Sequence, residues 1–247
     1  MLFLPIPLLF WQSGSLRAWL ILLGSAVFEA LYYTTMAKAY QTGELSTVYP
    51  LARGTAPLFI VGWSPLFFEE RLTWGGVGGV ALIVVGLSVI NLGRLGEWRA
   101  WRRNPGAAAA RWALLAGLCI SCYTTMDKAG VRLLAPSLYT WLTMTLTVAW
   151  LTPGTLRAVG WQGLLTEWRA ARLSIVLAGF TAMAAYMLTL YVLRLGAPAS
   201  YVGAMREISA VLGALTGIVL LKEQGTRWRI GGSALIAGGV GTIALLG

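Results

Sequence analysis

Four charged side chains fall inside apolar runs of this sequence: Glu29, Arg53, Arg206 and Glu207. The last two are neighbours in YVGAMREISAVLG, residues 201–213. A charge at the centre of a bilayer costs roughly 2.5 kcal/mol or more on insertion scales, so it persists only when paired or facing water. Successive residues on a helix point about 100° apart, so Arg206 and Glu207 should not pair with each other. Each needs a partner on another helix. Arg53 to Glu207 is the first pairing expected, and Arg206 to Glu29 the second. Such a set can latch helices together, bind a charged solute, or exchange a proton at a carboxylate. Tyr33, Tyr186 and Tyr49 add apolar rings with one polar tip, which suit a cavity wall, a lipid interface or plain packing. These seven residues are the candidate substrate-binding or gating set. Glu207 and Glu29 are the candidate proton carriers, because the chain contains no histidine.

Enzyme chemistry has little to use here. Cys119 and Cys122 form a CxxC within an apolar run, but no other Cys or any His could complete a metal site. They read as small packing residues. There is no G-x-S-x-G and no close acid pair of evident use. No catalytic residue, metal or cofactor is expected.

The elements that must hold these charges are membrane helices. Of the 247 residues, 57% are hydrophobic and 11% charged, against about 25% charged in a soluble domain. Several of the 12 Trp, including Trp19, Trp74, Trp112 and Trp228, stand near the ends of apolar runs, as an interfacial belt would. The formal charge of +10 sits mostly in short connections. Anionic lipid headgroups are the expected partner there, not nucleic acid.

Apolar runs and their breaks predict helices at 16–40, 44–68, 73–93, 109–132, 136–153, 172–194, 198–221 and 229–246. Each is about long enough for a hydrocarbon core. The polar segments 94–108 and 154–171 are too short for a domain. Residues 2–12 are apolar but too short to span, and read as the tail of a helix or an interfacial segment. Asp127 and Lys128, near the end of 109–132, read as interfacial, with a cavity mouth as the second reading. Glu70 and Glu223 stand where a carboxylate favours a helix N-terminus. Pro50, Pro57 and Pro65 all fall in 44–68, which suits a cavity-lining helix. Gly75, Gly79, Gly232, Gly238 and Gly239 offer small faces for close helix contact, a homodimer face being the second reading.

The chain also repeats itself. At a constant, gapless offset of 153 residues, Arg53 falls on Arg206, Glu70 on Glu223, Gly79 on Gly232, Gly86 on Gly239, "ALI" at 81–83 on "ALI" at 234–236, and Tyr33 on Tyr186. Equivalent helices are separated by an odd number of crossings, so the second copy is inverted. The expected fold is an all-α polytopic bundle forming one transmembrane domain. It has a first repeat at 1–93, a connection at 94–108 and a second repeat at 109–247. Inverted repeats with a midplane site are a transporter architecture.

The segments AYQTGELSTVYPLARGTAPLF…EERLTWGGVGGVALIVVG and YVLRLGAPASYVGAMREISAVLGALTGIVLLKEQGTRWRIGGSALIAGGV resemble the two halves of an EamA-type member of the drug/metabolite transporter superfamily, and CYTTMDKAGVR resembles the first helix of the second half. The resemblance implies a ten-helix carrier of small metabolites, amino acids or xenobiotics that does not hydrolyse ATP. Ten helices would need one full helix and most of a second before residue 12, so about eight full helices and a shortened N-terminus are expected here. The expected function is secondary transport of a small organic solute by alternating access, with proton coupling through a carboxylate. Balanced charges favour a zwitterionic or neutral polar solute. The alternatives are a non-transporting or truncated membrane subunit and, last, an intramembrane enzyme.

Overall fold

A computed structural model describes residues 13–42, 45–68, 72–92, 106–209, 212 and 226–246. Among these, the regular structure is helical throughout: α1 (Leu16–Thr42), α2 (Leu45–Phe68), α3 (Trp74–Leu92), α4 (Gly106–Gly130), α5 (Pro136–Arg194), α6 (Ala199–Met205) and α7 (Thr226–Leu246). α1 and α5 are long and apolar enough to cross a membrane, and α3 and α7 contain shorter apolar stretches at Trp74–Val89 and Ile230–Leu246. The N-terminal segment 2–12, Glu70, Glu223 and most of the connection 94–108 lie outside the described residues.

Two boundaries differ from those expected. The helices expected at 136–153 and 172–194 lie within α5, which non-helical backbone at Gly160 and Ala171 interrupts: the first runs past 153 to the break at Gly160, and the second begins after Ala171. Pro153 lies inside the first piece and does not stop it, although an interior proline loses one hydrogen bond and crowds the carbonyl four residues back. The break waits for Gly160, whose φ of 67° is open to glycine at little cost. Pro136 opens α5, and Gly196, at φ 100°, follows the C-cap Leu195. The helix expected at 198–221 is interrupted at Arg206 and Glu207; Ile208, Ser209 and Leu212 are helical again, and the rest of 210–221 lies outside the described residues. By contrast, α2 runs unbroken through positions 50, 57 and 65.

The chain divides into two compact units. Unit one comprises Met1–Ala30 and Met126–Ala197, and unit two Leu31–Thr125 and Pro198–Gly247. Unit one buries Ala18, Leu22 and Ala26 of α1, Leu138 of α5, and Leu190 and Leu193 near the end of α5. The ring of Tyr139 occupies the space that a Cβ on Gly130 would need, so the turn after α4 is closed by a buried aromatic.

Unit two has two apolar cores. One joins Met36 and Ala39, Val48 and Ala52, and Ala109, Ala113 and Ala116, with Gly117 set close against Ala52 and Thr55. The other joins Val80, Ile83 and Leu87 of α3 to Ile236 and Ile243 of α7, with Tyr201 and Ala204 of α6. The Tyr201 hydroxyl accepts the Thr73 N–H at 2.9 Å, where α3 begins.

The α3–α7 contact has a particular form. A Cβ on Gly79 would stand 2.7 Å from the Gly239 carbonyl oxygen, and a Cβ on Gly86 would stand 2.7 Å from that of Gly232. Thr73 Oγ1, before α3, donates to the carbonyl of Leu246 at the end of α7. One helix ascends as the other descends, so they are antiparallel. The offset of 153 residues carries Gly79 onto Gly232 and Gly86 onto Gly239. Each contact is therefore the image of the other, as a local two-fold axis requires.

Candidate functional site

In unit two, Arg53 comes from the middle of α2 and Glu207 from the turn after α6. Arg53 Nε lies 3.2 Å from Glu207 Oε1, with side chains 16% and 6% exposed. The pairing expected first from the sequence is thus formed. Tyr49, one turn before Arg53, puts its ring 5.7 Å from the guanidinium carbon, within cation–π range. The pair is not saturated. Arg53 Nε has no well-aligned acceptor and Glu207 Oε2 no donor among the described residues. An ion pair with spare valences in a dry setting can still engage a third polar group.

The backbone changes character where these charges sit. Arg206 is the C-cap of α6 at φ −61°, ψ −21°. Glu207 N–H bonds the carbonyl of Ala204 at 3.0 Å, and Ser209 N–H bonds that of Arg206 at 3.3 Å. These are i→i−3 bonds, the tighter 3₁₀ pattern that often marks a hinge when it interrupts a helix. Arg206 is only half-buried and makes no ion pair among the described residues. The second expected pairing, Arg206 to Glu29, would join residues of different units, Arg206 in unit two and Glu29 in unit one.

Tyr33 is 45% exposed. Its ring lies 4.9 Å from that of Tyr32, which in turn lies 6.1 Å from Tyr123. Tyr32 and Tyr123 are not singled out by sequence, because the 153-residue offset pairs neither with another tyrosine.

In unit one, Glu29 is buried and its Oε2 accepts the Thr147 hydroxyl at 3.0 Å. Asp127 accepts from Ser25 at Oδ1 and from Tyr186 at Oδ2, the latter at 2.7 Å. Asp127 and Lys128 correct the interfacial reading, since they are 1% and 2% exposed. The reason is coverage. Helix α4 ends at Gly130, and α5 folds back at once, with Tyr139 laid over that end. Tyr33 and Tyr186, equivalent by offset, have unlike surroundings: one exposed, the other buried on a carboxylate.

The seven candidates therefore fall into two groups. Arg53, Glu207, Tyr49, Arg206 and Tyr33 belong to unit two, and Glu29 and Tyr186 to unit one. Cys119 and Cys122 are free thiols. Among the described residues, no group of three or more Cys, Asp or Glu is placed to hold a metal.

The family model of the EamA-like transporter family matches residues 1–92 and 108–245. This chain belongs to the EamA-like transporter family, whose members are integral membrane transporters and not enzymes.

Proposed function

We propose that this protein is a multi-pass secondary transporter of the cell membrane that moves a small organic solute by alternating access. About eight full transmembrane helices form two inverted repeats, 1–93 and 109–247. The antiparallel, two-fold contact of α3 with α7 supports that arrangement. The observation that carries the functional reading is the buried, unsaturated Arg53–Glu207 pair at the point where α6 leaves α-helical geometry. Discontinuous helices with charged groups at the break are a recurring form of transporter site.

The solute class follows from the charges. A zwitterion can give its anionic group to Arg53 and its cationic group to Glu207, replacing the internal pair with two external ones. Tyr49 supplies an apolar face beside the guanidinium. Arg206, half-buried and unpaired among the described residues, is available to the anionic end in a second conformation. Glu207 is the proton carrier if a proton gradient drives the cycle, because its charge depends on whether Arg53 is engaged with it or with solute.

The test is uptake by purified protein in liposomes, using radiolabelled zwitterionic solutes such as small amino acids. Transport that saturates, and that Arg53→Ala abolishes while Tyr33→Phe leaves it intact, supports the reading. Uptake of zwitterionic and neutral polar solutes no faster than in protein-free liposomes sinks it.

A further inference from the structure

Residues 154–171 read in the sequence as a polar connection, yet in unit one they form the middle of α5. Non-helical backbone at Gly160 (φ 67°, ψ 171°) and at Ala171 (φ −134°, ψ 26°) sets off a separate helical piece, residues 161–170, WQGLLTEWRA. We infer that this piece lies along the membrane surface and binds anionic phospholipid, with Trp161, Leu164, Leu165 and Trp168 among the acyl chains and Arg157, Arg169 and Arg172 on the headgroup phosphates.

Three observations converge. The first is periodicity. Trp161, Leu164, Leu165 and Trp168 follow the i, i+3, i+4, i+7 spacing of one helix face. At about 100° per residue they share an arc of about 100°, and Gln162, Gly163, Thr166, Glu167 and Ala170 fall outside it. Residues 161–170 rise about 15 Å, half of a hydrocarbon core, so the piece is too short to span. A helix with Trp and Leu on one face and arginine beside it is of the kind that settles in the interface.

The second is exposure. Trp161 and Trp168 are 65% and 46% exposed, and Leu164 and Leu165 are half-buried. The fold thus leaves both indoles open. An indole fits the headgroup level, where its ring meets acyl chains and its N–H meets water.

The third is charge. From Arg157 to Arg172 there are three arginines against one acid, Glu167. All three arginines are exposed. Arg169 stands about 40° from Leu165, at the edge of the apolar arc. From there its stem covers apolar surface while the guanidinium reaches phosphate, which it binds through two parallel N–H bonds. A basic segment of this kind gains affinity from an anionic leaflet. The same charges argue against a second copy of the chain as the occupant, since its matching face would bring like charges together.

The breaks supply the geometry. The conformation of Gly160 is one that essentially glycine alone adopts, and it frees the chain to leave the direction of the first span. Ala171 marks the return to the second. The inference rests on the chain being a membrane protein and not on the proposed transport site of unit two.

The full chain carrying Cys119→Ala and Cys122→Ala is spin-labelled at Leu164→Cys or at Thr166→Cys and reconstituted in vesicles of phosphatidylcholine mixed with phosphatidylglycerol. The label at 164 should be reached by oxygen dissolved in the acyl chains, and the label at 166 by a water-soluble nickel complex. In detergent, the native chain should bind fluorescent phosphatidylglycerol in preference to phosphatidylcholine, and inorganic phosphate should compete poorly. Arg157→Gln, Arg169→Gln and Arg172→Gln should each lower that affinity roughly fivefold, and the triple variant should lose most of the preference while keeping its unfolding midpoint. If the cysteine-free chain does not fold, the arginine series in the native background decides alone. The inference is overturned if the label at 164 is as open to the nickel complex as that at 166, if 164 is closed to both reagents because protein covers it, or if the triple variant keeps its full preference for phosphatidylglycerol.

Discussion

Arg53 Nε stands 3.2 Å from Glu207 Oε1, and the two residues come from different copies of the sequence repeat. The repeat alone would match Arg53 with Arg206, and Glu207 with Gly54. The pair therefore uses one shared residue and one that a single copy possesses. Truncating one partner strands the other's charge in a dry site, which costs about 3–5 kcal/mol. Arg53→Ala should lower the unfolding midpoint in detergent markedly. The double variant Arg53→Met/Glu207→Leu should unfold later than Arg53→Ala, yet show no uptake in liposomes. A double variant less stable than Arg53→Ala would mean that the pair is not the source of the cost.

Glu207→Gln keeps the shape and removes the charge change. It is expected to fold and to bind solute but to lose the acceleration of uptake by an imposed pH gradient. Uptake by reconstituted protein with and without the gradient measures this. If gradient-driven uptake persists in Glu207→Gln, the residue is a structural partner of Arg53 only.

Arg206 is half-buried and unpaired among the described residues, so its role should appear in binding and not in folding. Arg206→Ala is expected to change stability by no more than about 0.5 kcal/mol, the range usual for substitutions away from a packed or paired site. Solute affinity should fall several-fold by equilibrium binding. A large loss of stability with unchanged affinity would reverse the assignment.

The glycines of α3 and α7 give a test of the two-fold contact. Gly79→Val and Gly86→Val should each cost about 1–3 kcal/mol, the usual price of overpacking, because the added atoms meet the Gly239 and Gly232 carbonyls. Their losses should be similar, since the two contacts are images of one another. Gly78→Val, with no atom within 4 Å of its Cβ position, should be mild. Thermal unfolding of the three variants in one detergent compares them directly.

Tyr186 and Tyr33 are equivalent by offset but should respond differently to loss of the hydroxyl. Tyr186→Phe removes a donor from a buried carboxylate and should destabilise by about 1.5–3 kcal/mol. Tyr33→Phe, on an exposed ring, should be close to neutral. Equal losses in unfolding midpoint would contradict the hydrogen bond from Tyr186 to Asp127.

The sequence by itself determined the helical membrane class, the repeat offset and the first ion pair. All three follow from strong local constraints. Apolar runs of spanning length leave few alternatives to a helix, and an Arg and a Glu in such runs must find each other or water. Only the tertiary structure decided depth and interruption. Asp127 and Lys128 sit near the end of α4, where sequence position suggests an interface, but α5 folds back and buries both. Nothing in the sequence near Thr147 of α5 points to Glu29 of α1, 118 residues away, which its hydroxyl meets in the fold. The interruption after Met205 has no proline to announce it, and Gly203 two residues earlier lies in helical backbone. Burial, coverage and the loss of a helical hydrogen bond depend on neighbours far away in the chain, and no window of sequence contains them.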